Sequence, residues 1–112
     1  MESILKTIRS MLGPEEDYTH FDNDIMIHIN SALVTLNQLG VGPEKPARVT
    51  SDTDTWVDKL GDLDEMPSIV DYVYICVKLK FDPPTSAFVL TALRETKKEL
   101  EWRLNVRADT EG

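Results

Sequence analysis

Apolar residues recur at helical intervals in four long stretches of the chain, and glycine or proline separates the stretches. From Glu2 to Leu12, the residues Ile4, Leu5, Ile8 and Leu12 share one helix face, and Gly13-Pro14 ends the pattern. A polar turn, EEDYTHF, follows. The second stretch begins at Asp22 and runs through Ile25, Ile29, Ala32, Leu33, Leu36 and Leu39 to a stop at Gly40. Asp22 or Asn23 is placed to cap it, and Asp24 suits the positive end of the helix dipole. Met26, Ile27 and Val34 lie off the main stripe and make this helix apolar on more than one side. Such a helix is either central in the core or turns its second face to another subunit.

Residues 41–65 read as a long polar connection. Within it, Ser51-Asp52-Thr53-Asp54 can cap a short helical turn carrying Trp56, Val57 and Leu60, which Gly61 ends. A loop of this length in a small domain is usually functional or disordered. The third long stretch starts at Met66-Pro67, where proline suits a first helical turn. Ile69, Val70, Val73, Tyr74, Val77 and Phe81 form its apolar face. Its β-branched residues would also permit a strand, but length, the proline start and the spacing favour a helix. Asp82-Pro83-Pro84 then breaks the chain, and Thr85 or Ser86 can cap a last helix carrying Phe88, Val89, Ala92, Leu93, Leu100 and Leu104.

The pattern therefore predicts an all-α fold. It is a small single-domain bundle, residues 1–112, of four main helices near 2–12, 22–39, 66–81 and 85–104. A short helical turn near 54–60 sits in the long loop, and 105–112 form a frayed tail. Leu33, Leu36, Val73, Val77, Phe88 and Leu93 are the expected core. Asp82, Pro83, Pro84, Thr85 and Ser86 form an architectural turn that fixes the angle between the last two helices. Met26 and Ile27, with Trp56 and Leu60 of the loop, are candidate contacts to a partner or another subunit. For Trp56 and Leu60 the alternative is that they cap the domain's own core.

Charge sharpens this picture. The net charge is −8, which repels nucleic acid and anionic lipid at long range. It is also uneven: residues 15–71 hold thirteen acids and three bases, and the two ends together hold seven acids and nine bases. Separated charge suits a protein that meets copies of itself or a charged partner; an ordinary solvated acidic face is the alternative. No apolar run reaches the length of a membrane span, and the N-terminus does not read as a secretory signal. Lys6 and Arg9 beside apolar residues would suit a membrane-surface helix, but Glu2 and the short length argue against one.

Catalytic chemistry finds little support. The single cysteine, Cys76, has apolar neighbours and reads as a core residue. His20 and His28 belong to no metal-binding spacing, and no phosphate loop or nucleophile elbow is present. Asp52, Asp54, Asp58, Asp62 and Asp64 lack the EF-hand pattern. Lys97, Lys98, Arg103 and Arg107 are diluted by Glu95, Glu99 and Glu101, and no aromatic platform accompanies them. The expectation is a non-enzymatic protein that uses no cofactor and no metal.

Three segments carry a resemblance: FDNDIMIHINSALVTLNQLGVGP (21–43), the isolated TW (55–56), and LKFDPPTSAFVLTALRETKKELEWRLN (79–105). Together they resemble the head–tail connector proteins of tailed bacteriophages. The resemblance implies a structural role in the virion, at the head–tail interface, after synthesis in the host cytoplasm. It implies an adaptor ring of about a dozen subunits, each using a head-to-tail interface. The ring would bind the portal and a tail or stopper protein and extend a channel through which DNA passes without specific binding. The free subunit is expected to be monomeric at low concentration and to assemble on the portal. A rival reading is a small acidic regulator or inhibitor of one host protein.

Overall fold

The computed structural model describes residues 3–13 and 20–111, with side chains through Ala108. The expected helix start at Glu2, the break at Pro14, the turn over 15–19 and the last tail residue lie outside the described residues. Among the described residues there are five helices: α1 (Ile4–Leu12), α2 (Asp22–Gln38), α3 (Trp56–Leu60), α4 (Met66–Phe81) and α5 (Ala87–Glu111). Residues 69–79 are helical, as the proline start and the spacing predict.

Local chemistry explains most boundaries. Ser3 caps α1: its Oγ accepts from the Lys6 amide at 3.2 Å. α2 starts without a side-chain cap, because Phe21 stands at the cap position and the expected cap, Asp22, is already the first helical residue. Its carboxylate pairs with the nearly buried Arg9 guanidinium at 2.8 Å. A buried cation left unpaired costs far more than one solvated amide at a helix end. α2 ends in a Schellman turn, in which the Val41 amide donates to the Leu36 carbonyl and the Gly40 amide to that of Asn37, both at 3.0 Å. Gly40 has φ +89°, and a Cβ there would lie 3.1 Å from Ala108 Cβ, so both backbone and neighbour require glycine.

The cap of α3 is Thr55, whose Oγ1 accepts from the Asp58 amide at 3.2 Å. Asp54 folds back instead and accepts from the amides of Thr50 and Ser51. Those bonds outweigh burial and hold its carboxyl below the ordinary value. α4 carries Pro67 in its first turn and buries Ile69, Tyr72, Val73, Ile75, Cys76 and Val77.

α4 is the centre of the bundle. α2 and α5 pack against it, and α1 packs on both α2 and α4. Leu33, Leu36, Val73 and Val77 are buried as expected, while Leu93 is half-buried. Phe88 is a correction: it is 84% exposed. The inward face of α5 is set by Leu100 and Leu104, with Leu93 packed on the same core. Five residues separate Phe88 from Leu93, which at about 100° per residue turns Phe88 roughly 140° away from that face.

A second correction concerns the end of α5, which continues to Glu111 instead of fraying from residue 105. Asn105 Nδ2 donates to the Leu39 carbonyl at 3.2 Å, satisfying a group left open at the end of α2. Arg107 reaches the carboxylates of Asp64 and Glu65. These contacts hold the last turns in register with the rest of the bundle.

Candidate assembly surface

The long connection between α2 and α4 is pinned to the bundle over its first half. Asn30 Nδ2 donates to the Val49 carbonyl at 3.0 Å, and the Val49 amide donates back to Asn30 Oδ1 at 2.7 Å. Asn37 Nδ2 donates to the carbonyls of Pro43 and Glu44. Val41 and Val49 are buried. Beyond them, Trp56 is 4% exposed and Leu60 5% exposed. Trp56 Nε1 donates to Thr7 Oγ1 at 3.3 Å. Both side chains are thus spent on the domain's own core, the alternative the sequence left open, and they offer a partner little surface.

The other two candidates on α2 differ from each other. Met26 is half-buried and packs on the core, whereas Ile27 is 61% exposed. Ser31 and Val34 follow Ile27 on the outer face of α2, and Val34 is also exposed. On α5, Phe88, Val89, Trp102 and Val106 are exposed, and Trp102 reaches 67%. Sequence spacing missed Trp102 because it sits between two core leucines at 100 and 104, two residues from each.

The turn between α4 and α5 holds Asp82, Pro83, Pro84, Thr85 and Ser86. Asp82 caps α4, its amide donating to the Lys78 carbonyl at 3.1 Å while its carboxylate pairs with Lys78 Nζ at 2.9 Å. Pro83, Pro84 and Thr85 then reverse the chain. Ser86 caps α5, with its carbonyl accepting from the Leu90 amide at 3.0 Å and its Oγ from the Val89 amide at 3.4 Å.

α2, α4 and α5 enclose a groove of about 520 Å³ that no residue of α1 lines. Ala32, Cys76 and Leu79 give it an apolar floor, and Tyr72 stands at one end. The Tyr72 hydroxyl donates to Glu101 Oε2 at 2.6 Å, and Lys97 Nζ donates to the same oxygen at 3.0 Å. Burial and this bond push the Tyr72 phenol far up. Burial works to raise Glu101 as well, but the bonds from Tyr72 and Lys97 prevail and hold its carboxyl below the ordinary value. Burial also pushes the Cys76 thiol up, so the sulfur stays protonated and unreactive at neutral pH.

Lys80, Arg94 and Lys98 line the groove and make no ion pair among the described residues. Along the sequence, Glu95, Glu99 and Glu101 dilute Lys97, Lys98, Arg103 and Arg107. In space the dilution is partial: Glu99 is taken by Arg103 and Glu101 by Lys97, each at 3.0 Å. Among the described residues, no group of three or more His, Cys, Asp or Glu is arranged to hold a metal ion. No helix among them is long and apolar enough to cross a membrane.

A small helical bundle that turns Ile27, Phe88 and Trp102 outward offers apolar surface for contact with other proteins. The family model described as phage connector protein matches residues 4–111, and the chain belongs to that family. It is therefore a structural phage protein. No curated protein and no solved structure matches the chain.

Proposed function

We propose that the protein is the adaptor of the head–tail connection. Copies close into a ring of about a dozen subunits on the portal through a head-to-tail interface. The ring extends the DNA channel and receives a tail or stopper protein at its other end. The observation that carries this reading is the family match over residues 4–111. The outward apolar residues of α2 and α5 support it, because a monomer has no use for Ile27, Phe88 and Trp102 in water. The net charge of −8 suits a channel wall along which DNA slides without sticking. Met26 and Ile27 contribute to subunit contact. Trp56 and Leu60 contribute indirectly, by fixing the loop on the core, and residues 82–86 set the angle at which α5 is presented.

The test is reconstitution with the portal protein of the same phage. Purified chain should bind the portal, and electron microscopy of the complex should show an added ring coaxial with it. A chain that stays monomeric and ignores the portal at every concentration tried would overturn the adaptor reading and favour a regulator of a single protein.

A further inference from the structure

Half of the chain's twelve lysines and arginines lie along one side of the molecule. Lys80, Arg94, Lys97 and Lys98 line the groove between α2, α4 and α5. Lys45 and Arg48 line a second hollow across the outer face of α2, which Ile27, Ser31 and Val34 share. Ser31 borders both hollows, so the two adjoin along α2, whose outer ridge carries the exposed Ile27 and Val34 on the side of the second hollow. Only Lys97 of the six is held in an ion pair among the described residues. In a chain of net charge −8, a cationic face of this extent demands a partner.

The opposite charge is concentrated on another part of the same chain. Asp52, Asp58 and Asp62 are exposed around α3, and none of them makes an ion pair among the described residues. Lys59, the one base in this segment, is turned toward Asp54 at 3.7 Å. This acidic segment is tied to α1, through the Ile4 amide on the Asp54 carbonyl at 2.9 Å and through Trp56 on Thr7. α1 packs on α2 and α4, whereas the cationic groove is lined by α2, α4 and α5 and by no residue of α1 or α3. One molecule cannot bring its own two surfaces together. Nor can two copies satisfy both pairs of surfaces at once when the surfaces face different ways, so the contact propagates from copy to copy.

We infer that the α2–α4–α5 groove with the adjoining α2 ridge is the socket for the acidic α3 segment of the next copy. The inference rests on the ring proposed above and names the surfaces that build it. Ile27 and Val34 supply the apolar centre of the contact, and Arg48, Lys80, Arg94 and Lys98 form the charged rim that selects an acidic neighbour and fixes register. A nucleic-acid occupant is disfavoured. Glu95 and Glu101 stand among the cations, the ridge is apolar, and no aromatic side chain is exposed in the groove for bases to stack on.

Charge reversal tests the pairing. Two full-length variants are made, Arg94→Glu with Lys98→Glu in one and Asp58→Lys with Asp62→Lys in the other. All four positions are exposed or at the rim, and a thermal melt of each variant confirms its fold. Self-association is read by sedimentation velocity at high concentration and by ring formation on the portal. Each variant alone should associate at least about tenfold more weakly than the unmodified chain. An equimolar mixture should recover, because each variant then offers the surface the other needs, and both keep a net negative charge. Variants that assemble alone like the unmodified chain would overturn the inference and leave the adaptor reading intact. So would a mixture that fails to recover, or a groove variant that loses binding to duplex DNA shown by the unmodified chain. If the unmodified chain itself fails to assemble on the portal, the adaptor reading falls first and this socket with it.

Discussion

Replacing Asn30 by alanine should cost about 2–4 kcal/mol, although Asn30 touches neither the groove nor the centre of the core. Its side chain forms a two-bond clamp on the backbone of Val49, with both distances between 2.7 and 3.0 Å. Val49 is 2% exposed, so water cannot replace the lost partner without the loop opening. Each buried backbone group left unpaired costs about 1–3 kcal/mol, and the alanine variant strands two. Partial opening of residues 45–50 would relieve some of this at the cost of exposing Val49, which is why the sum stays below the upper limit. For a chain of this length, 1 kcal/mol moves the melting temperature by about 3–5 °C, so the variant should melt roughly 10 °C lower. Asn30→Asp gives a sharper reading. Its ionised carboxylate can accept from the Val49 amide but repels the Val49 carbonyl, so it should be destabilised at neutral pH and partly rescued in mild acid, where the protonated oxygen donates. Differential scanning calorimetry against pH measures both. A loss below about 0.5 kcal/mol for Asn30→Ala, or an aspartate variant indifferent to pH, would refute the claim that the clamp holds the loop.

Two further outcomes follow from burial and charge. Phe88→Ala should change stability by less than about 0.5 kcal/mol, whereas Leu104→Ala, at 2% exposure, should cost about 2–5 kcal/mol; chemical denaturation of the two variants reverses this order if the inward face of α5 is misassigned. Glu101 and Asp54 both titrate below their ordinary values in the folded chain, so each contributes stability at pH values above its unfolded pKa and loses it as the pH falls through the folded value. Melting temperature should therefore drop on acidification below about pH 5, and Glu101→Gln should shallow that drop; an unchanged acid limb in the variant would remove Glu101 from the account.

The helices and most of the core were legible because three- and four-residue spacing is a local signal. α2 and α4 carry it without interruption, and their boundaries fall within a residue or two of the pattern. The β-branched residues of α4 do not make it a strand, since a lone strand would leave its backbone groups unpaired at the centre of the bundle. The errors lie where tertiary contact overrides local preference. Asp22 has the makings of a cap, but it lies one residue inside the helix and pairs with the buried Arg9. Phe88 has the spacing of a core residue when counted from Ala92, yet the helix turns its leucines inward. The tail had no apolar signal, and one asparagine and one arginine hold it.

The candidate surface was less legible for the same reason. Ile27 stood out because it breaks an amphipathic stripe. The cationic groove could not be read from the chain, because Lys80 comes from α4, Arg94 and Lys98 from α5, and the apolar ridge from α2. A linear window over 94–103 finds acids and bases intermixed, and only the ion pairs of Glu99 and Glu101 reveal which charges are already satisfied. Asn30 gave a faint signal: asparagine is disfavoured within a helix unless its amide has a specific bond to make.

The bond from Asn105 to the Leu39 carbonyl joins two residues 66 apart in sequence, and it bears on when the protein can fold. Leu100 and Leu104 complete the core at the same end, and Ala108 closes against Gly40. Until residues 100–108 have left the ribosome, α2 keeps an open carbonyl end and α4 keeps an uncovered apolar side. The nascent chain can form its first hairpin of helices but cannot close the bundle around it. Closure of the bundle thereby waits on residues 100–108, and a chain interrupted before Leu100 presents a sticky, unfinished bundle to proteases and chaperones instead of a competent subunit to the growing particle.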